Sequence, residues 1–328
     1  MLLLTRQDIQ KVFSMRDAIE ANKRAFAIYS QGDSVVPLRT NVGIPKYNGQ
    51  TLFMPGYVEG INSLGVKIVS VFPDNAKTGK NTVPATLLLI DGTSGEVCCI
   101  LDGTYVTQLR TGAAAGAATE VLARPDAAIG AVIGAGGQAA AQLEAMLCAR
   151  PLKAVRVFSV RYERAAEFAD KMQQELASYG AEIYAVKSPE LAVADADIIT
   201  TVTTSRQPVF DGRLVKAGVH INAIGSYMPD MQEIGEHLVS AADKIFCDSK
   251  EAVMAEAGDV LIPIAKGLIN KEKITGEIGQ IFGGSINGRD TANQITIFKT
   301  VGIAVQDIVT AHEIYRKAQA QNIGLSWG

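Results

Sequence analysis

The spacing of hydrophobic and polar positions changes along the chain and divides it into segments of different secondary structure. In residues 14–33, SMRDAIEANKRAFAIYSQGD, apolar side chains recur at helical spacing, and Asn22 is the only polar residue in the stripe. Ser14 and Asp17 form a capping-box pattern at the start, and Gly32 closes the segment. This pattern predicts an amphipathic helix.

From 36 to 101 the chain consists of short, β-rich apolar runs separated by Gly, Pro, Asn and Asp. These runs predict a mostly antiparallel sheet, in which LLLIDGTSGEVCCILDG forms a hairpin across Asp91 to Glu96. Residues 102–123 then predict a helix. It is so rich in Ala and Gly that another group must approach its backbone closely.

The following part of the chain alternates apolar runs with helical or loop segments, the rhythm of a parallel, doubly wound sheet. The runs lie at 127–133, 154–159, 183–187, 197–202, 218–224 and 244–247. Residues 293–319 carry apolar side chains at helical spacing, Ile297, Val301 and Ala304 among them, and predict one long helix. We expect this helix to return to the first domain.

These elements predict an α/β protein with two domains. A Rossmann-type domain with a doubly wound parallel sheet is expected over residues 121–299. Both ends of the chain, 1–120 and 300–328, are expected to form an α+β domain for substrate binding and assembly.

Composition and charge exclude several classes of function. The 328 residues are 48% hydrophobic with a net charge of −3, and no run of Lys and Arg offers a surface for nucleic acid. No stretch approaches the roughly 20 apolar residues needed to span a bilayer, and the N-terminus turns polar too early for a signal peptide, so a cytoplasmic protein is expected. The four cysteines and three histidines show no metal-ligand spacing, and no metal is expected.

A glycine-rich pattern follows the apolar run at 127–133. Gly134, Gly136 and Ala139 have the spacing G-x-G-x-x-A, in which the first glycine makes a tight turn and the second lets the backbone approach a pyrophosphate. A glycine-rich turn in an ordinary α/β domain is the alternative. The strand ends at 201–205 and 221–230 should line the crevice beside a nicotinamide, because ligands bind at strand carboxyl ends.

The end of the second parallel strand bears on the choice of cofactor. Ser159 stands where NAD-preferring domains carry Asp or Glu, and Arg161 and Arg164 follow at once. This arrangement accommodates a 2′-phosphate, so NADP(H) is favoured and NAD(H) remains open. The alternative is that both arginines only solvate the next helix.

Three cations in the first domain are candidates for binding an anion. Arg110 is the only charged residue between Gly103 and Glu120, and a guanidinium in such company needs an anionic partner. That partner is either a substrate carboxylate or a carboxylate elsewhere in the fold. Lys67 in GVKIVSVF poses the same question, with a solvated strand face as its alternative, and Arg39 lies at a strand start where surface arginines are common.

Nine segments together resemble the ornithine cyclodeaminase/μ-crystallin family over essentially the whole chain. They are VPLRT, FMPGY, GVKIVSVF, VPATLLLIDGTSGE, LDGTYVTQLRTGAAA, VIGAGGQA, HINAIGSYMPDMQE, AEAGDV and FKTVGIAVQD. The resemblance implies a homodimer in which the first and last parts of the chain form the substrate and dimerisation domain. It also implies that Arg39, Lys67 and Arg110 bind the substrate carboxylate, with Met54 beside them, and that Glu256 lies in the pocket.

With these implications, we expect the following residues to contact a nicotinamide cofactor: Thr82, Arg110, Thr111, Gly134, Gly136, Gly137, Gln138, Ser159, Arg161, Arg164, Thr201, Val202, Thr203, Ile224 and Ser226. Lys67, Asp230 and Glu256 are the candidate catalytic residues. For Asp230 the alternative is a cap on a helix that starts at Met231.

One departure from the family pattern bears on the reaction. Cyclodeaminases of this family carry an aspartate directly after the glycine-rich end of the fifth strand, where this chain has Tyr227, with Asp230 three residues later. The chain is therefore more similar to the family's reductases and amino-acid dehydrogenases. We expect NAD(P)H-dependent reduction of 1-pyrroline-2-carboxylate or 1-piperideine-2-carboxylate to L-proline or L-pipecolate.

Three alternatives remain open at this point. Two are enzymatic: an ornithine cyclodeaminase, which forms L-proline and ammonia, and an alanine-type L-amino-acid dehydrogenase. The third is a μ-crystallin-like protein that binds NADP(H) and a small carboxylate with little turnover.

Overall fold

The computed structural model describes residues 1–328 and divides them into two compact units. The first unit is Met1–Arg110 with Ile303–Gly328, and the second is Thr111–Gly302. The division falls within one helix, before the predicted boundary that follows residue 120. Each unit is built on its own sheet.

The helices and strands of both units are numbered in chain order. The helices are α1 (Arg6–Val12), α2 (Met15–Gln31), α3 (Gly103–Leu122), α4 (Ala139–Ala149), α5 (Tyr162–Glu175), α6 (Pro189–Val193), α7 (Glu236–Ala241), α8 (Lys250–Glu256), α9 (Gly258–Ala265), α10 (Ile278–Phe282) and α11 (Ala304–Ala320). The strands are β1 (Leu2–Leu4), β2 (Ser34–Val35), β3 (Thr40–Ile44), β4 (Gly49–Val58), β5 (Ser63–Val71), β6 (Ala85–Asp91), β7 (Val97–Asp102), β8 (Ile129–Ile133), β9 (Ala154–Phe158), β10 (Glu182–Ala185), β11 (Ile198–Thr201), β12 (His220–Ala223), β13 (Lys244–Cys247), β14 (Ile274–Glu277), β15 (Thr296–Lys299) and β16 (Leu325–Ser326).

The sheet of the first unit has the order β16-β1-β7-β6-β5-β4-β2, and β3 also pairs with β4. Its pairs are antiparallel except for β1 with β7. The predicted hairpin is confirmed, because β6 and β7 pair and Asp91 N donates to Glu96 O at 2.9 Å. The predicted helix is confirmed as α2, in which the Ser14 side chain accepts from Asp17 N and Gly32 forms the C-cap.

Helix α11 belongs to the first unit, so the end of the chain returns there as expected. It packs on α2 and on β4, β5 and β6. The β5 residues that face it include Gly65 and Lys67, which are buried, whereas Leu64, Val66 and Ile68 on the opposite face are half-buried. The strand alternation thus gives the sheet one covered face and one partly open apolar face.

The second unit confirms the Rossmann-type fold. Its eight strands are all parallel, in the order β10-β9-β8-β11-β12-β15-β13-β14. Alternate residues of β8 enter different cores: Val132 packs with α4 and α5, whereas Ala131 and Ile133 pack with α6 and α7. The sheet is therefore covered on both faces. Its strand order reverses between β8 and β11, which is the switch point where such folds bind ligands.

The long helix predicted over 293–319 is wrong over residues 293–303. Residues 296–299 form β15, which lies between β12 and β13, and α11 begins only at Ala304. All four residues of β15 are buried. A strand buried on both faces shows no alternation of apolar and polar residues, so periodicity alone does not distinguish it from a buried helix.

No helix in either unit combines the length and the apolar character that a membrane crossing requires.

Candidate active site

A buried cluster of charged side chains lies in the first unit. Lys67 of β5 donates from Nζ to Asp307 Oδ2 at 2.7 Å, and Arg110 of α3 donates from Nε to Asp307 Oδ1 at 3.0 Å. Asp307 lies in the first turn of α11, and its side chain is 1% exposed. One carboxylate therefore serves two buried cations, with one oxygen for each.

Uncharged side chains extend this cluster toward α2. Arg110 Nη1 donates to Gln306 Oε1 at 3.2 Å, and Gln306 Nε2 donates to Asn22 Oδ1 at 2.9 Å. Asn22 in turn donates to Ala18 O within its own helix. The polar interruption noticed in the α2 stripe is thus part of the hydrogen-bonded support of Arg110.

The surroundings of Lys67 shift its protonation. Burial lowers the pKa of Lys67 to about 7, and the positive charges of Arg110 and Arg39 act in the same direction, whereas Asp307 opposes them. Arg39 is half-buried and directly precedes β3, so its charge reaches the same part of the unit. With two buried cations on one carboxylate, the cluster carries an excess of positive charge and can accept a further anion.

The structure decides two of the alternatives for these cations. Lys67 is 1% exposed, so a solvated strand face is wrong for this residue. Arg110 does have a carboxylate partner within the fold, as one of its two alternatives required. The sequence analysis does not identify this partner, Asp307. The signal that could have identified it is an acidic residue among the apolar positions of a buried helix.

Met54 lies opposite Lys67 on β4 and packs with Leu52, Val69 and Ala304.

The glycine-rich turn of the second unit has the geometry that its spacing predicts. Gly134, directly after β8, has φ +118°, and a Cβ there would lie 2.6 Å from Val202 O. At Gly136 a Cβ would meet nothing within 4 Å, so the backbone is open before α4 begins at Ala139. Gln138, also in this turn, has a buried Oε1 without a hydrogen-bond partner. An open backbone at a helix N-terminus fits the pyrophosphate of a dinucleotide.

The other predicted cofactor residues of the second unit lie near strand ends. Thr201 ends β11 and is followed by Val202 and Thr203, while Ile224 and Ser226 follow β12. Ser159 follows β9, and Arg161 and Arg164 lie at the start of α5, exposed and outside every ion pair. Thr111 follows Arg110 in α3, and Thr82 lies in the first unit, in the segment before β6.

The two carboxylates predicted to be catalytic have different surroundings. Asp230 has a side chain that is 52% exposed and forms an ion pair with Arg206 at 3.1 Å. The helix predicted to start at Met231 is wrong, because the next helix is α7, with Gly235 as its N-cap, and Asp230 caps nothing. Glu256 is half-buried and is the last residue of α8.

Comparison with known proteins agrees with this geometry. The chain matches the sequence profile of the ornithine cyclodeaminase/mu-crystallin family over residues 1–322. It is 38% identical to a Delta(1)-pyrroline-2-carboxylate reductase of Bacillus cereus over 324 residues, which are 99% of this chain and 98% of that protein.

Two solved structures are similar over almost the whole chain. One is the Delta(1)-pyrroline-2-carboxylate reductase of Thermococcus litoralis in complex with NADH and L-proline, with a TM-score of 0.95, 39% identity and 100% of each chain covered. The other is an archaeal alanine dehydrogenase dimer with bound NAD, with a TM-score of 0.91, 32% identity and coverage of 100% of this chain and 99% of that one. The resemblance seen in the nine motifs is confirmed: the chain belongs to the ornithine cyclodeaminase/mu-crystallin family.

Proposed function

We propose that this protein is an NAD(P)H-dependent reductase that converts 1-pyrroline-2-carboxylate or 1-piperideine-2-carboxylate to L-proline or L-pipecolate. The observation that carries the proposal is the buried pair of cations, Lys67 and Arg110, which share the single carboxylate of Asp307. The names of the similar reductases and the L-proline bound to one of them support the choice of substrate.

The cations bind the carboxylate of the imino acid. Asp307 and Gln306 take Nε and Nη1 of Arg110, which leaves the Nη2 end of the guanidinium for a ligand oxygen. Lys67 adds a second donor, and Arg39 adds positive charge from the start of β3. Met54 and its apolar neighbours suit a hydrocarbon ring next to the carboxylate.

A nicotinamide nucleotide, when bound, supplies the hydride that reduces the C=N bond. Gly134, Gly136 and Gly137 would hold its pyrophosphate with backbone N–H groups at the start of α4. We favour NADP(H) over NAD(H), because Ser159 presents no carboxylate and the unpaired Arg161 and Arg164 are free to bind a 2′-phosphate. The similar reductase and dehydrogenase structures contain NADH and NAD, so both forms must be compared in the assay.

Reduction of an imine requires a proton on its nitrogen. Lys67 has a pKa of about 7 and therefore can hold or release a proton near neutral pH. Glu256 is a half-buried carboxylate and keeps its candidate role as a balancing charge. Asp230 is weaker in this role, since it is exposed and paired with Arg206.

We further propose that the protein is a homodimer. The face of the first unit's sheet that points away from α11 carries Phe53 opposite Ile68 and Val66 opposite Leu88, all partly exposed. An apolar sheet face of this kind is typical of an interface, and a similar dehydrogenase is described as a dimer. In analytical ultracentrifugation we expect a dimer for the wild type and a monomer for Ile68→Glu, whereas a monomeric wild type would contradict the proposal.

The reaction is tested with purified protein, NADPH or NADH, and each cyclic imine. We expect loss of nicotinamide absorbance with formation of L-proline or L-pipecolate. Ornithine with catalytic cofactor should release no ammonia, because Tyr227 stands where cyclodeaminases have aspartate. Ammonia and proline from ornithine, without imine reduction, would replace this proposal with the cyclodeaminase. Oxidation of NADPH by pyruvate and ammonia, without imine reduction, would favour an alanine-type dehydrogenase.

A further inference from the structure

A second buried charged cluster lies at the carboxyl ends of the strands of the second unit, and its central residue is Glu233. The Glu233 carboxylate accepts three hydrogen bonds: from Thr201 Oγ1 at 2.9 Å, from Thr203 N at 2.5 Å and from Gly225 N at 2.6 Å. Two of these donors belong to the end of β11 and one to the end of β12. Glu233 is completely buried, so it joins two neighbouring strand ends from within the protein.

Asp259 and Lys299 fix Glu233 in turn. Asp259 Oδ1 accepts from the backbone N–H groups of Glu233 and Ile234, at 2.7 and 3.1 Å. Lys299, at the end of β15, donates to Asp259 Oδ2 at 2.9 Å and to Ala223 O at 3.1 Å. The cluster therefore connects the carboxyl ends of β11, β12 and β15 through charged groups that are at most 1% exposed.

The backbone segments that Glu233 holds are packed so closely that neither can move without a steric clash. A Cβ at Gly225 would collide with Thr203 O, and a Cβ at Gly134 would lie 2.6 Å from Val202 O. The backbones that follow β8, β11 and β12 are thus in direct contact. A shift of 202–203 or of Gly225 would change the shape of the surface next to the glycine-rich turn.

Stability alone does not account for such a cluster. Burying two carboxylates and an ammonium carries a large desolvation cost, and apolar residues of similar volume often stabilise a core at least as well. What three charged groups supply is a set of directed hydrogen bonds that define the position of each backbone segment.

A buried carboxylate at the amino ends of the strands of the same sheet can be compared with Glu233. Asp197 directly precedes β11 and is buried. It accepts from Ala128 N at 2.8 Å and from Ile129 N at 3.0 Å, and it pairs with Lys216 at 2.6 Å. Asp197 thus does at the amino end of β11 what Glu233 does at its carboxyl end, far from the edge at which such sheets bind ligands.

We propose that Glu233 is a positioning residue for the nicotinamide nucleotide: it holds the ends of β11 and β12 in the conformation that binds the cofactor, and Asp259 and Lys299 hold Glu233. The inference rests on the proposed function, since it requires that the second unit binds this cofactor. Glu233 does not itself contact the ligand in this proposal. Its effect is transmitted through Thr203 and Gly225.

The test compares Glu233→Gln with Asp197→Asn as the matched control. Each variant replaces a buried carboxylate by the amide of the same size, so each places an NH₂ against a donor and should lower the melting temperature. Binding of NADPH and NADH, without imino acid, is followed by nicotinamide fluorescence. We expect the Kd of Glu233→Gln to rise about tenfold or more and that of Asp197→Asn to stay within about twofold, because only the first change disturbs the strand ends.

Thr201→Val serves as a second variant that removes a single hydroxyl donor to Glu233. Thr201 is completely buried and its hydroxyl donates to Glu233, so in this proposal it acts on the cofactor only through Glu233 and not by the direct contact expected from the sequence. It should raise the Kd by about threefold with little loss of stability, and it decides the question if Glu233→Gln does not fold. Wild-type affinity in both variants, or an equal loss in Asp197→Asn, would overturn the inference and leave the proposed function intact. If the wild type binds neither nucleotide, the proposed function fails and this inference fails with it.

Discussion

The two buried charged clusters are opposite in composition. In the first unit, two cations, Lys67 and Arg110, share one carboxylate. In the second unit, two carboxylates, Glu233 and Asp259, accompany one lysine, Lys299, which donates to Asp259 and acts on Glu233 only through its charge. Both clusters are almost completely buried, so the difference lies in how each charge is satisfied.

The second cluster is complete by itself, whereas the first is not. Glu233 and Asp259 accept from four backbone N–H groups, a threonine hydroxyl and Lys299, so fixed donors of the protein satisfy their oxygens, although burial and the charge of Asp259 still raise the pKa of Glu233. Lys67 and Arg110 have only the two oxygens of Asp307 and one amide oxygen. A buried excess of positive charge is costly unless an anion joins it. The comparison therefore supports the two proposals made above, that the first cluster binds a ligand anion and that the second positions backbone segments.

The largest expected effect comes from removing the shared carboxylate. Asp307→Asn leaves Arg110 without a counter-charge and favours loss of the Lys67 proton, and it should lower the free energy of unfolding by about 3–5 kcal/mol. Asp259→Asn is the matched change in the other cluster, where Glu233 still balances Lys299, and it should cost less. Denaturant unfolding of both variants measures the difference. A smaller loss for Asp307→Asn than for Asp259→Asn would break the comparison.

Arg110→Met should reduce kcat/KM for the cyclic imine by about 100-fold or more, since it removes charge-assisted hydrogen bonds worth about 1.5–3 kcal/mol each. Stability should fall only moderately, because Asp307 keeps its bond to Lys67. Arg150→Met is the control, since Arg150 donates to backbone carbonyls of Glu120 and Ala123 in the second unit. It should lower the melting temperature without a comparable loss of imine binding. If Arg110→Met unfolds well below Arg150→Met, the arginine is mainly structural.

The pH dependence of KM for the imino acid sharpens the account of Lys67. In the proposed function the charged lysine binds the carboxylate, so we expect KM to rise as the pH passes about 7, the lowered pKa of Lys67. Asp307→Asn should move this rise to lower pH, because Asp307 raises the pKa of Lys67, and Arg110→Met should move it to higher pH. The unfolded chain holds the lysine proton up to about pH 10.5, so this residue's contribution destabilises the fold increasingly as the pH falls from about 10.5 to about 7. Identical profiles in all three proteins would contradict the assignment.

The smallest expected effect concerns the cofactor alone. Ser159→Asp places a carboxylate after β9 and should shift the preference from NADPH toward NADH by about tenfold, the equivalent of one lost phosphate contact of about 1.4 kcal/mol. KM for the imino acid should not change, because Ser159 lies in the second unit. A wild type that already prefers NADH would show that Arg161 and Arg164 do not bind a 2′-phosphate.

Local patterns were enough to predict the elements that depend on local chemistry. The α2 capping box, the β6–β7 hairpin and the turn at Gly134 all follow from residues close together in sequence. β15 was missed because its residues are buried on both faces and show no alternation.

The partners of buried charges could not be read in this way. The sequence predicts an anionic partner for Arg110, but that partner, Asp307, lies 197 residues away in the chain. No sequence pattern predicts that three hydrogen-bond donors from the ends of two strands bind Glu233. These contacts are products of the fold. A lone charged residue in an apolar segment predicts that a partner of opposite charge exists. Only the structure shows which residue that partner is.

The most direct test of the central claim compares the binding of L-proline and L-prolinamide to the protein with oxidised cofactor, by calorimetry. The two ligands share the ring and differ in the group that the first cluster is proposed to bind. We expect the wild type to prefer L-proline by about 100-fold and Arg110→Met to lose most of that preference, since a charged hydrogen-bonded pair contributes about 1.5–3 kcal/mol. Equal affinity of the wild type for both ligands would show that Lys67 and Arg110 do not bind the substrate carboxylate.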